Sequence, residues 1–129
     1  MKVFVIVLFW IVGTIQVVFS QGQVTDSVVY DFVEEYAEFP GGADFLHKWI
    51  AKNFELPQEI NKSEQGKIYL SFVIEKDGSV SNIRITRGLS EKLNNAAIKL
   101  VQKMPKWKPA LNNRKPVRSR FMLPISVVL

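Results

Sequence analysis

The sequence has no cysteine and a single histidine. The first absence removes disulfides, zinc thiolate sites and thiol nucleophiles together, and leaves the redox compartment undetermined. The second leaves His47 without a partner group: no other histidine stands at metal-ligand spacing, and a lone histidine between Leu46 and Lys48, on the polar side of a helix, reads as an exposed side chain rather than a base. A phosphate-binding loop is also lacking. Gly41-Gly42 follows no strand and no Gly-Lys-Ser or Gly-Lys-Thr occurs, so the pair reads as a turn. Asp77-Gly78 lacks the further acidic ligands of a calcium loop. Neither enzyme chemistry nor a metal or cofactor is expected from such a set.

Acidic residues are missing from the whole stretch 99–129, which carries Lys99, Lys103, Lys106, Lys108, Arg114, Lys115, Arg118 and Arg120. Residues 26–64 form the acidic half. The net charge of +5 is therefore polarised along the chain, which marks either an anionic partner or a solvated basic face. Nucleic acid is not expected: Trp107, framed by Pro105 and Pro109, is a poor stacking platform, and an exported domain seldom meets it.

What is present fits one small globular domain behind an apolar leader: 129 residues, 47% hydrophobic and 22% charged. Met1-Lys2 precedes an apolar run from Val3 to Phe19, and Val18-Phe19-Ser20 offers a small residue for cleavage. Residues 1–20 are expected to be a secretory signal peptide, with an uncleaved membrane anchor as the alternative. Residues 21–38 read as a linker or a short edge strand, and 39–129 as the folded domain, outside the cytoplasm in either case.

The clearest local signal lies between Gly66 and Gly88. Ile68, Leu70, Phe72 and Ile74 alternate with Lys67, Tyr69, Ser71 and Val73, the period of a strand. Asp77-Gly78 supplies a hairpin turn, since glycine takes positive φ without steric cost and aspartate tolerates it. On the return strand Val80 and Ile83 are three apart, which predicts a bulge near Ser81 and Asn82.

Around the hairpin lie two helices. Phe45, Leu46, Trp49 and Ile50 recur at helical spacing after Pro40-Gly41-Gly42 breaks the chain, predicting a helix over Ala43–Asn53 that ends before Pro57. Leu93, Ala96, Ala97, Leu100, Val101 and Met104 form one stripe, predicting a second helix over Glu91–Met104 with Ser90 as its N-cap and Pro105 as its stop. Trp107 reads as a lid on the core. Residues 110–115 read as a loop and Pro116–Val128 as a last strand, placed at a sheet edge by Pro124, which cannot donate to a ladder.

The expected fold is α+β with the order helix, strand, strand, helix, strand (αββαβ): a three-stranded antiparallel sheet of order 2-1-3, covered on one face by both helices.

In this order and spacing the residues resemble a known family. From Phe39 to Val127 the chain is similar to the TonB carboxy-terminal domain in the form carried by Bacteroidetes-type energy transducers. The likeness rests on Glu38-Phe39-Pro40-Gly41-Gly42, Leu56-Pro57, the run Gly66 to Ile74, Asp77-Gly78-Ser79-Val80, Leu93 with Ala96, Met104-Pro105-Lys106-Trp107-Lys108-Pro109 and Leu123-Pro124-Ile125. It extends over about 90 of the 129 residues. Leu56, Glu64 and Ala110 stand where the family usually has tyrosine, glycine and glycine. Only some twenty residues separate the leader from Phe39, roughly 70 Å when extended, where family transducers carry a long proline-rich linker.

The resemblance implies a periplasmic domain that grips an outer-membrane receptor through a short extended segment, the TonB box, added as a strand to the last strand. The implied contact residues are Arg118, Ser119, Arg120, Phe121, Met122 and Leu123, with Pro40, Gly41, Gly42, Gly66, Asp77, Gly78, Trp107 and Pro109 as structural positions. The alternative is an exported structural domain that self-associates as a homodimer, edge to edge; contact with a membrane would require the leader to stay attached.

Overall fold

The computed structural model describes residues 27–129. The leader and its cleavage site lie outside the described residues. The chain runs through β1 (Val29–Tyr30), α1 (Ala43–Asn53), a 3-10 turn (Lys62–Glu64), β2 (Gly66–Ile74), β3 (Val80–Arg87), α2 (Glu91–Gln102), β4 (Ala110–Asn112) and β5 (Lys115–Val127).

Strand β2 lies in the middle. It pairs antiparallel with β3 on one side and with β5 on the other, the second ladder running from Gly66 opposite Val127 to Ile74 opposite Ser119 without a break in register. This core has the expected 2-1-3 order, but the sheet as a whole does not match a three-stranded antiparallel one. It is mixed and larger, with the order β1-β5-β2-β3 and β4 paired to β5. Val29 and Tyr30 pair parallel with Arg118 and Ser119, whereas Ala110–Asn112 pair antiparallel with Lys115–Val117.

The extra hairpin replaces the expected loop over 110–115. Its turn, Asn113-Arg114, has φ of 50° and 62°, the left-handed pair that a two-residue hairpin connection demands. Asparagine tolerates that region and arginine does so at a cost, so without glycine the turn leaves little trace in composition. Strand β5 accordingly begins at Lys115 and ends at Val127, one residue earlier at each end than expected.

Alternation sorts the side chains as the sequence implies. Ile68, Leu70, Phe72 and Ile74 are fully buried and face the helices together with Leu123, Ile125 and Val127. Helix α2 contributes Leu93, Ala97, Leu100 and Val101, and α1 contributes Leu46, so both helices cover one sheet face. Phe45 is a correction to the α1 stripe: it is 59% exposed, and its ring lies over the Gly41 backbone, where an added Cβ would come within 2.6 Å of Phe45 Cγ. Helix α2 keeps its N-cap, Ser90 Oγ accepting from Leu93 N at 3.2 Å. It ends at Gln102, two residues before Met104, because the last turn tightens: Lys103 N donates to Leu100 O at 3.1 Å and Met104 N to Val101 O at 3.2 Å.

The bulge in β3 falls where the spacing places it. Ser71 pairs with Arg84 but Val73 with Ser81, so β3 spends an extra residue there, and Asn82 adopts φ 48°.

Trp107 closes the open end of the core. It is 4% exposed, and its ring centroid lies 5.4 Å from Phe39, 5.9 Å from Phe72 and 4.8 Å from Phe121. Its amide donates to Gly78 O at 2.9 Å. Gly78 therefore serves two purposes. It takes φ +88° in the turn, and it lets Trp107 approach so closely that a Cβ would meet the Trp107 carbonyl oxygen at 2.1 Å. Asp77 holds the turn from the other side, accepting from Ser79 N at 2.9 Å and Ser79 Oγ at 2.6 Å.

Two substitutions test this packing. Leu100→Ala is expected to cost on the order of 2–5 kcal/mol in denaturant melts; a loss under about 0.5 kcal/mol would show that the α2 stripe does not face the core. Gly78→Ala is expected to cost at least about 2 kcal/mol. Gly42→Ala is the control, because Gly42 has a similar φ of +90° but only Glu38 Oε1 at 3.6 Å before its Cβ. Equal losses at the two glycines would remove the Trp107 contact as the cause.

Candidate functional site

Strand β5 presents two unlike faces. Ser119, Phe121 and Leu123 turn towards the helices, while Arg118, Arg120 and Met122 alternate onto the other face, where Arg120 and Met122 are exposed. The six residues expected at the docking surface thus divide into three facing the core and three facing away.

The edge of β5 opposite β2 is the open one. Pro124 fixes which main-chain groups it offers. Pro124 stands opposite Tyr69 in an unbroken ladder, and the Tyr69 carbonyl accepts Thr86 Oγ1 of β3 at 3.0 Å, so that pair exchanges no bonds between β2 and β5. The Pro124 nitrogen therefore faces the outer edge. Because main-chain groups alternate between the two edges of a strand, Arg120, Met122 and Ser126 point theirs outward as well. Beyond Ser119 no strand pairs with this edge among the described residues.

Its first two positions are occupied. Val29 and Tyr30 lie against Arg118 and Ser119, Arg118 Nη1 donates to Ser27 O at 3.1 Å, and Arg120 Nε donates to Asp31 Oδ1 at 3.0 Å. Arg118 is also tied to the hairpin, with Nε 2.7 Å from Glu75 Oε1 and Nη2 3.2 Å from Glu75 Oε2. Glu75 accepts a further hydrogen bond from Ser81 Oγ. The hydrogen bonds from Arg118 and then Ser81 hold the Glu75 carboxyl below its ordinary value of 4.5, against the opposing pull of desolvation. Arg118 is thus a fixed member of the scaffold, and Arg120, in an exposed ion pair, is the adaptable cation of this edge.

Past Met122 the edge runs beside a shallow apolar groove between α1 and the end of β5, lined by Ile50, Phe54, Leu56, Ile125 and Val127. A strand laid on the edge would turn alternate side chains towards it.

The remaining structural positions support this arrangement from a distance. Gly42 N closes the Pro40-Gly41 turn on Phe39 O at 2.8 Å. Glu38 and Lys108 exchange both main-chain bonds, as do Glu35 and Leu111, so the acidic approach to Pro40 is pinned along the segment that includes Pro109. Gly66 opens β2 at φ +154° with Leu89 Cδ2 at 3.0 Å from an added Cβ. Sequence reasoning offers a short edge strand within residues 21–38 but not its place beside Arg118 and Ser119 of β5; the β-branched pair Val28-Val29 and the acid at Asp31 are the only local signals. Among the described residues no group of three or more acidic or histidine side chains is placed to hold a metal, and no helix is long and apolar enough to cross a membrane.

The family model described as Gram-negative bacterial TonB protein C-terminal matches residues 54–129, which takes in β2 to β5 and leaves α1 outside. No curated protein and no solved structure matches.

The Glu75–Arg118 pair gives a pH prediction. Since Glu75 is held below its ordinary value in the folded chain, its contribution to stability is complete above that value and is lost as pH falls through the depressed one. The stability gap between the wild type and Arg118→Met is expected to be full at neutral pH and to close in the acid range below 4.5. A gap that is constant from pH 7 to pH 2 would show that the pair does not carry the difference.

Proposed function

The chain belongs to the family of Gram-negative bacterial TonB C-terminal domains, and on that premise we propose that it is a non-enzymatic periplasmic module that takes an extended segment of an outer-membrane receptor onto the outer edge of β5. The family's part in energy transduction for transport supplies the setting. The single observation that carries the reading is the edge itself. From Arg120 onward it offers outward main-chain groups to a strand, with Arg120 and Met122 beside them and an apolar groove along its far half. Main-chain bonds would supply the affinity and alternate side chains the selectivity.

Titration with a synthetic TonB-box peptide tests this. Binding is expected, and Met122→Pro is expected to weaken it by about tenfold or more while the domain stays folded, because Met122 has the same outward parity as Pro124. Phe121→Pro, of the opposite parity, is expected to break the ladder with β2 and unfold the chain. An affinity indifferent to Met122→Pro would end the docking reading, as would absence of binding both to the wild type and to a chain from which the β1 pairing has been removed. The same edge could instead accept a second copy of the chain. Sedimentation at rising concentration separates the two, since a persistent monomer excludes that alternative.

A further inference from the structure

We infer that Ser27–Asp31 is a built-in occupant of the docking edge, a short strand that the incoming segment has to displace. The inference rests on the docking reading above and adds how the edge is regulated.

Three observations converge on it. Strand β1 runs parallel to β5 on the open edge, with Val29 opposite Arg118 and Tyr30 opposite Ser119. Arg120, the adaptable cation, is paired to Asp31, the residue after that strand. Arg118 reaches past Val29 to the Ser27 carbonyl. Both ends of the segment are therefore held by the arginines that flank the free edge.

The hold is short and shallow. Only two residues pair, the ion pair at Arg120 is exposed on both sides, and Val28 and Tyr30 remain 42% and 38% exposed. Nothing in the core depends on β1: no residue of Ser27–Asp31 belongs to the buried cluster or packs against it. The segment can leave without opening the fold. While it is in place, an incoming strand loses the Arg118–Ser119 positions and the charge on Arg120. Because the segment is tethered, it competes at a high effective concentration, and the affinity of a free strand falls by the fraction of molecules in which the edge is open.

The resident also indicates what the edge prefers. In-register neighbours share a face, so a replacement in the same direction would set a β-branched residue beside Arg118 and an acid two residues later beside Arg120. The matching guest is an extended, parallel segment with an apolar β-branched residue and an acid at i and i+2.

The probe is a labelled peptide of residues 27–32 added in trans to three full-length chains: the wild type, Tyr30→Pro, and Asp31→Lys. Proline at 30 removes the amide donated to the Arg118 carbonyl, because Arg118 turns its main-chain groups outward and in a parallel ladder they bond the two residues flanking Val29, and lysine at 31 repels Arg120 without touching the backbone. The peptide is expected to bind Tyr30→Pro about tenfold tighter than the wild type, with a smaller gain in the same direction for Asp31→Lys. Near-ultraviolet dichroism of the Trp107 cluster checks that each variant keeps its core. Equal affinity for all three chains, or no binding to either folded variant, would overturn self-occupancy. The TonB-box peptide distinguishes the two proposals. If it binds wild type and both variants equally, docking stands and self-occupancy falls. If it binds none of them while the residue 27–32 peptide prefers the variants, self-occupancy stands and the receptor reading falls.

Discussion

The contact between Trp107 and Gly78 is the constraint on which the rest of the structure depends. One indole touches the rings of Phe39, Phe72 and Phe121, and thereby ties the segment before α1, the central strand and the edge strand. Its amide is fixed to the hairpin turn through Gly78 O. A chain of this size buries a modest fraction of its surface, so a single large aromatic that closes the open end of the sheet has leverage beyond its own area. Because Trp107 enters the loop that leads into β4 and β5, its position also sets where the edge strand begins.

From that anchor the geometry of the edge follows. β5 is long enough to run past β2, so its first residues are free to take β4 and β1 while the rest stays in register with the central strand. The inward side chains are part of the core, and the outward ones from Arg118 on are two arginines, a methionine, a proline and a serine. A surface made in this way is rigid without being buried. Its rigidity comes from the ladder with β2, and its openness past Ser119 from the lack of a paired strand there among the described residues. Arg118 and Arg120 look equivalent by spacing but differ in situation, the first locked to Glu75 and the second in a solvent-exposed pair.

Much of this was legible in the sequence because the signals were local and periodic. The alternation of Ile68 to Ile74, the i, i+3, i+4 stripe from Leu93 to Val101, the Ser90 cap and the irregular Val80-Ile83 spacing each encode one element through side-chain direction alone, and each element is there. The resemblance likewise rested on punctuation by Gly, Pro and Trp, which loops and turns require for backbone reasons. Two things were not legible. The β4–β5 hairpin turns at Asn113-Arg114 with no glycine to mark it. The pairing of Val29–Tyr30 with β5 joins residues some ninety positions apart through two main-chain partners, and no periodicity in a two-residue strand can announce that. Phe45 shows the converse: helical spacing counts an aromatic as core, whereas its neighbour Gly41 lets the ring lie flat on a turn at the surface.

Pro124 has a consequence for how this domain behaves at high local concentration. An exposed sheet edge is a template for any other edge, and two copies that align along their whole length would offer the next copy the same template again. A missing donor in the middle of the outward row interrupts such growth. Ahead of the proline a few main-chain bonds are open to a short visitor, and past it the pattern is broken. The edge is thus graded by length: hospitable to a segment of several residues, inhospitable to an extended strand from another sheet. The proline thus limits edge-to-edge growth while leaving a short stretch of the row open.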